Sequence, residues 1–437
     1  MSRFDRKHYF YHDQPAGYQI TQYYEPLAKN GCLALGPDDG VEEQDIAIKQ
    51  IQIEQDTGKS QESDGMHLID FNRAGHPLIE IISLPQIHSP EAASAYVKKV
   101  QALLLSVNAV TAGMEQGGLR ADVNVSISRK DGSAGNHSYS GISGLGQRTE
   151  IKNLSTIKAV EDAIKAEKAR QISVLEAGGV VDGETRGWSL ARPNETRRLR
   201  GKEGEVDYRY MPDPDVPPLY VNDDLVNFVK NTLPALPDQL LGSLTSDPKY
   251  KLSSTDAKIL LQSDAGDRLD FYQETVDLLQ KYHRSNAKLG RVVANWILQE
   301  TGHMLTTKNI TWEDSRLIPN NLASLLDVLL KRNVTGGSAK QILGLLIDGD
   351  ERSVGQIVEE EGLRLVQLAE HDYVRLAEEV VASHSVVVEE IEKRGKMGKL
   401  MFLVGQMIRR GPEGRVEAKK AEETLRQLIQ LPPQHRE

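Results

Sequence analysis

Cysteine is almost missing: Cys32 is the one thiol in 437 residues. A single thiol excludes an internal disulfide and a multi-cysteine zinc site, and it fits a reducing compartment. Long hydrophobic runs are missing as well. No stretch approaches the roughly 18 uninterrupted apolar residues that a membrane helix needs, so no membrane-spanning segment is expected. Positive charge is not in excess, and the net charge of −10 argues against a generic nucleic-acid coat while leaving room for local basic patches. The opening MSRFDRKHYF has no apolar h-region and is too short and aromatic for an amphipathic transit helix, so no targeting signature is visible there. His67, His76 and His88 have no ligand-like spacing, and no G-x-S-x-G elbow occurs. Aromatics are scarce, at 5%. Seven of them nevertheless crowd residues 4–24: Phe4, Tyr9, Phe10, Tyr11, Tyr18, Tyr23 and Tyr24.

The first half of the chain mixes strands and helices. RADVNVSIS (120–128) alternates Ala121, Val123, Val125 and Ile127 with polar residues, and RTEIKNLS (148–155) reads as a second strand. The Gly/Ser-rich KDGSAGNHSYSGISGLG (130–146) between them reads as a long hairpin connection or a disordered insert. One helix is expected from Ser89 as N-cap and Pro90 at the first helical position, with Tyr96, Val97, Val100, Leu103 and Leu104 inward. Another is expected from Ser155 as N-cap, with Ile157, Val160, Ile164 and Leu175 on one side, stopping at Gly178-Gly179. The proline run YRYMPDPDVPPLY (208–220) reads as a boundary, because four prolines do not fit a central strand or a helix interior. Beyond it helical patterns dominate, at 254–262, 268–282 and 289–300, then GGSAKQILGLLI from Ser338, VGQIVEEEGL and GKLMFLVGQMIRR. In this last helix Met401, Phe402, Val404, Gly405 and Ile408 are expected to face a core. The expected fold class is α+β: a mixed strand/helix catalytic domain over 1–220, a helical domain over 221–300, and a helical region with a small tail over 301–437. From Lys393 to Lys420 nine basic side chains meet two acidic ones, a local charge of +7.

Four segments are candidates for chemistry. In QIQIEQDTGKS (50–60), Glu54, Gln55 and Asp56 lead into Thr57-Gly58-Lys59-Ser60. Carboxylates beside a Gly-Lys turn suit Mg²⁺ and phosphate oxygens, although the first glycine of a Walker A loop is absent; the competing reading is a solvated hairpin turn. In FNRAGHPLIEIISLP, Glu80 interrupts a run of Leu78, Ile79, Ile81 and Ile82. It either points to solvent by strand alternation or is a buried carboxylate that needs a partner or a metal. In MEQGGLRADVN, Glu115, Arg120 and Asp122 fit a surface hairpin with a cross-strand ion pair. The arginines of 184–210 (Arg186, Arg192, Arg197, Arg198, Arg200) could meet phosphates or be compensated by Glu195, Glu203 and Glu205.

Taken in order, FDRKHYFYHDQPAGYQITQ, QIEQDTGKS, DFNRAGHPLIEI, MEQGGLRADVNVSI, TEIKNL, ETRGW, DYRYMPDPDVPPL and GKLMFLVGQMIR resemble the B subunit of glutamyl-tRNA(Gln) amidotransferases over nearly the whole chain. The resemblance implies a cradle-like catalytic domain followed by helical domains. It implies a subunit that uses ATP and Mg²⁺ to phosphorylate the side chain of glutamate misacylated onto tRNA(Gln). An amidase (A) subunit then supplies ammonia from glutamine, and a small third subunit completes the complex. By the same resemblance Lys7 and Lys59 contact phosphate, Glu54, Asp56 and Glu80 hold Mg²⁺, and Glu54, Glu80 and Lys59 are catalytic. Lys396, Lys399, Arg409 and Arg410 bind tRNA. Glu54-Gln55 stands where many bacterial members have two glutamates, which resembles the organellar branch and implies a mitochondrial matrix location. The family's GLEVH opening segment has no counterpart here. This leaves open an incomplete sequence or a non-catalytic tRNA-binding or assembly subunit, and an aspartyl-tRNA(Asn) amidotransferase is a third alternative.

Overall fold

The computed structural model describes residues 1–128, 135–201, 208–283, 286–365, 368–394, 396–412 and 416–431. The chain divides into two compact units, Met1–Pro237 and Asp238–Glu437.

The first unit is built on small sheets. Strand β4 (Gln44–Gln55) pairs antiparallel with β3 (Ala28–Leu35) on one side and β7 (Pro77–Ser83) on the other. Helix α1 (Pro90–Ser106) covers this sheet through Tyr96 and Val100, packed on Leu33, Leu35 and Ile46. The isoleucine pattern of β4 slips by one residue between Ile48 and Ile51. The register shift opposite β7 falls at that point, between Ile48 and Gln50, so a bulge absorbs the slip. Ser89 caps α1 as expected, accepting from the Ala92 N–H, with Pro90 at the first helical position.

A second sheet has the order β13-β12-β11-β8, from β8 (Ala121–Val125), β11 (Thr149–Leu154), β12 (Glu184–Trp188) and β13 (Thr196–Gly201). Helix α2 (Ile157–Glu176) is the crossover between the parallel strands β11 and β12. Its N-cap is Thr156, not Ser155: the Thr156 side chain accepts from Ala159 N–H, and both residues are hydroxylic, so sequence type alone could not separate them. The Gly/Ser-rich connection holds a hairpin, β9 (Gly135–Tyr139) with β10 (Ile142–Gly144); residues 129–134 lie outside the described residues. The proline run is woven back into the unit. Met211–Pro212 forms β14 at the edge of a sheet ordered β14-β1-β2, with β1 (Asp5–His8) and β2 (Tyr18–Thr21), an edge being where a strand proline is tolerated. Arg6 binds Asp213 at 2.8 Å and Asp215 at 2.7 Å, tying β1 to that run.

Under α2 lies a buried ionic network. Glu167 is fully buried and accepts from Thr149 Oγ1 (2.7 Å), Thr196 Oγ1 (2.6 Å), Gln171 Nε2 (2.9 Å) and Arg170 (2.7 Å), with Arg186 Nε at 3.2 Å. Arg186 also pairs with Glu184, which in turn meets Arg198 at 3.0 Å. The ETRGW arginine is therefore a buried pin between β12, β13 and α2. Arg192 faces Glu195, whereas Glu203, Glu205 and the Arg200 side chain lie outside the described residues. Burial pushes the Glu167 carboxyl up, but the donors from Arg170, Thr196, Gln171 and Thr149 override it and hold it down at about 2.

The second unit is helical. A cluster running from Leu244 to Val358 packs helices including Ser254–Gln262, Asp267–Gln280, Pro319–Leu330 and Gly336–Ile347. The 289–300 pattern is α-helical over Leu289–Asn295, π-helical over Trp296–Thr301 and α-helical again to Lys308. Gly336–Ile347 is capped by Thr335 rather than opened by Ser338. A separate cluster from Tyr373 to Ile429 contains helix Leu400–Arg410. There Leu400, Leu403, Val404 and Met407 are buried, while Met401, Phe402 and Ile408 are exposed, contrary to expectation. Both stripes have helical spacing and share Val404, so the choice belongs to the neighbouring helices. No helix among the described residues is long and apolar enough to cross a membrane.

Removing one partner from a buried ion network leaves an uncompensated charge at a cost of roughly 3–5 kcal/mol. Glu167→Ala is expected to lose stability on that scale in urea unfolding. Because the folded pKa of Glu167 lies below the ordinary 4.5, its contribution is complete above about pH 4.5 and drains away as pH falls towards 2. Between those values the gap between wild type and Glu167→Gln should close; a gap that stays constant across that window would refute the assignment.

Candidate active site

Two strand pairs of the first unit turn polar faces towards each other. On β1 and β2, Asp5 lies opposite Thr21 and Lys7 opposite Gln19. On β4 and β7, Gln52 lies opposite Glu80, with Glu54 two residues along on the same face. The faces meet at Glu54, which is 7% exposed. Thr21 Oγ1 donates to its Oε1 at 2.5 Å, Gln52 Nε2 to the same oxygen at 2.9 Å, and Gln19 Nε2 lies 3.4 Å from Oε2. Gln52 Nε2 also donates to Glu80 Oε2 at 2.8 Å. Two carboxylates thus stand side by side, joined through neutral donors. Neither has an ion-pair partner among the described residues.

Glu80 is reached by solvent yet has protein packed closely around its carboxyl. Crowding by protein raises its pKa first and the neighbouring Glu54 second; Lys7 pulls the other way, Asp122 adds to the rise, and the carboxyl settles at about 7. The Lys7 ammonium stands 4.9 Å from the Tyr208 ring centroid and 6.0 Å from that of Tyr9. Tyr23 stacks on Tyr210 at 3.9 Å, and Tyr208 meets Tyr210 edge to face. Burial pushes the Tyr9 and Tyr210 hydroxyls up, and nearby carboxylates, Glu54 among them, add to it. The tyrosines form an aromatic wall beside the carboxylate pair.

Asp56 does not join the pair. Its carboxylate accepts from Thr57 N–H at 2.8 Å and faces Arg73 at 3.8 Å and Arg120 at 3.7 Å. Among the described residues no group of three His, Cys, Asp or Glu side chains is arranged to hold a metal ion. The expected trio of Glu54, Asp56 and Glu80 is therefore a pair with a neighbour. The turn after Glu54 loses alternation, and this frees Asp56 to face the arginines. Lys59 opens β5 (Lys59–Ser63), which forms a hairpin with β6 (Met66–Asp70), and is exposed. The hairpin expected over MEQGGLRADVN is not formed: Glu115 lies in a short 3-10 turn (Met114–Gln116), Asp122 on β8 pairs with Lys152 of the neighbouring β11 at 3.4 Å, and Arg120 reaches Asp56.

Sequence reasoning missed Gln19, Thr21 and Gln52, the residues that hold the carboxylates. The signal was present as period-two polar positions, Gln19 and Thr21 in β2 and Gln50, Gln52 and Glu54 in β4, but alternation alone reads as a solvated face. In the helical unit Lys396 and Lys399 both pair with Glu390, and Arg410 donates to the Glu379 carbonyl and Ser383 Oγ. Arg409 is exposed. Arg415, Glu413 and the side chains of Lys393 and Arg394 lie outside the described residues.

Residues 1–227 match the GatB/GatE catalytic domain, and residues 277–429 match the GatB domain. The chain belongs to the GatB/GatE family. It is similar to fungal proteins named as the B subunit of a mitochondrial glutamyl-tRNA(Gln) amidotransferase. That of Paracoccidioides lutzii is 56% identical over 438 residues, covering 98% of this chain and 73% of the relative. Those of Ajellomyces capsulatus and Aspergillus fumigatus are each 55% identical, covering 98% of this chain and 76% and 73% of their own lengths. The GatB/GatE catalytic match contains every strand of the carboxylate site, and the α+β unit followed by helices is the order of the two matched domains.

The raised Glu80 pKa has a checkable origin. In a carbon-detected NMR titration its carboxyl should turn over near pH 7, and Glu54→Gln should bring it down towards the ordinary 4.5 without reaching it, because crowding persists. An unchanged midpoint in Glu54→Gln would show that the two carboxylates do not interact.

Proposed function

We propose that this chain is the subunit of a mitochondrial glutamine-dependent amidotransferase that activates glutamate on tRNA(Gln). The observation that carries the reading is the Glu54–Glu80 pair beside Lys7, inside the GatB/GatE catalytic domain. A free carboxylate is a poor acyl donor, so the reaction needs it activated. An oxygen of the glutamyl side-chain carboxylate attacks the γ-phosphorus of ATP, ADP leaves, and an acyl phosphate forms. Ammonia released from glutamine by an amidase partner then attacks the acyl carbon. Phosphate leaves with the electron pair, and loss of a proton gives the amide of Gln-tRNA(Gln). A small third subunit completes the assembly.

The residues present suit a divalent cation. Two adjacent carboxylates with no ion-pair partner among the described residues, one of them solvent-accessible, are the donor set with which Mg²⁺ is held when phosphate oxygens and water fill the remaining positions. Bound there, Mg²⁺ would neutralise charge on the transferring phosphoryl group. Glu80 and Glu54 would hold it, with Asp56 outside the ligand pair. Lys7, braced over Tyr208, offers its ammonium to a phosphate oxygen, and Lys59 on the exposed hairpin is a second phosphate contact. The tyrosine wall excludes water from one side of the acyl phosphate, which limits hydrolysis.

Lys396, Lys399, Arg409 and Arg410 are assigned to tRNA backbone contact. To meet phosphate, Lys396 and Lys399 must leave Glu390, and Arg410 must leave the Glu379 carbonyl and Ser383, so the exposed Arg409 is expected to contribute most.

In the reconstituted complex, Glu80→Ala should abolish ATP consumption and amidation with Glu-tRNA(Gln) while leaving tRNA affinity largely intact. Equal loss of both would point to a folding defect, and retained turnover would refute the assignment. Turnover with Asp-tRNA(Asn) in place of Glu-tRNA(Gln) would overturn the substrate. Neutralising Lys396, Lys399, Arg409 and Arg410 together should weaken tRNA binding and flatten its dependence on salt concentration; unchanged binding would remove the tail from the tRNA interface.

A further inference from the structure

We propose that Gln52 is a positioning residue that sets the spacing of Glu54 and Glu80 for a divalent cation, its single amide nitrogen donating to one oxygen of each carboxylate. The inference rests on the reading of that pair as a cation site. Gln52 Nε2 lies 2.9 Å from Glu54 Oε1 and 2.8 Å from Glu80 Oε2. The two protons of one amide group diverge, so the acceptors they reach straddle the nitrogen at a fixed separation. The side chain is 5% exposed, leaving little room for water to take over.

The orientation of the amide is held from behind. Gln50 Nε2 donates to Gln52 Oε1, which leaves the nitrogen of Gln52 facing the carboxylates. Gln50, Gln52 and Glu54 follow one another at every second residue of β4, and Gln52 is the register partner of Glu80. Strand geometry therefore delivers donor and acceptors to one point. Thr21 and Gln19 fix Glu54 from β2 but do not touch Glu80, so Gln52 is the one described side chain hydrogen-bonded to both.

The chemistry of the position favours a neutral donor. A lysine or arginine there would neutralise the pair and compete with the cation. An apolar residue would leave the two carboxylates free to swing apart under their mutual repulsion. An amide relieves part of that repulsion while leaving the pair's negative charge available. Groups that orient metal ligands typically change metal affinity by roughly 10–100-fold when removed.

The test uses the full chain assembled with its amidase partner and Mn²⁺ as probe, with free Mn²⁺ read by its electron paramagnetic resonance signal in the absence of nucleotide. Gln52→Met keeps length and removes the donor. It should bind Mn²⁺ roughly 10–100-fold more weakly, with the thermal unfolding midpoint close to wild type. Raising Mg²⁺ should restore glutamyl phosphate formation, with KM for Glu-tRNA(Gln) unchanged. If Gln52→Met does not fold, Gln50→Met loosens the same amide from a half-buried position and should show a smaller, severalfold loss. Wild-type Mn²⁺ affinity in the folded variants would overturn the role of Gln52 alone. A wild-type complex that binds no Mn²⁺ would overturn the cation site and this inference with it.

Discussion

Two carboxylates held together by neutral hydrogen-bond donors are the constraint on which the catalytic unit depends. Glu54 and Glu80 repel each other when both are ionised, and crowding by protein adds to the cost. The structure offsets this with Thr21, Gln19 and Gln52, not with a paired cation. Lys7 is near enough to favour the ionised form, yet it stays over Tyr208. The result is a site with unspent negative charge. That is the electrostatic condition for taking up a cation and, with it, a nucleoside triphosphate.

The same unit shows the opposite solution a few strands away. Glu167 is more deeply buried than Glu80, yet its pKa is held at about 2 where that of Glu80 rises to about 7. Burial opposes ionisation in both cases. The difference lies in the partners: Glu167 meets Arg170 and Arg186, whereas Glu80 meets another carboxylate. One arrangement locks α2 to β11, β12 and β13 as scaffold. The other sets two carboxylates side by side with neutral donors between them. Arg170 and Arg186 are consumed internally, so the one arginine of the 184–210 segment that reaches Glu167, Arg186, is not available to a phosphate.

Much of the scaffold was legible from periodicity. The strands over 121–125 and 149–154, the Ser89–Pro90 helix start and the helices after the proline run all follow from alternation, caps and spacing. Where sequence chemistry is degenerate, reading stops. Ser155 and Thr156 are both competent caps, and Leu400–Arg410 carries two apolar stripes that share Val404. For the site, Glu80 stood out because it interrupts an apolar run and Glu54 because it leads into a Gly-Lys turn, whereas Lys7 came from the family resemblance. Gln19, Thr21 and Gln52 did not stand out, since a neutral polar residue on a strand is unremarkable until something is placed opposite it.

The sequence by itself determined which residues share a face. Period two puts Gln50, Gln52 and Glu54 on one side of β4, and ordered motifs pointed to the GatB/GatE family. Tertiary structure decided what those faces meet. Pairing of β4 with β7 sets Glu80 beside Gln52, and β2 brings Thr21 onto Glu54 across thirty-three residues of chain. It also turned Asp56 away to Arg73 and Arg120. Periodicity is local, because it follows from backbone dihedrals. A pKa depends on what lies within a few ångströms through space, and only the packed chain supplies that.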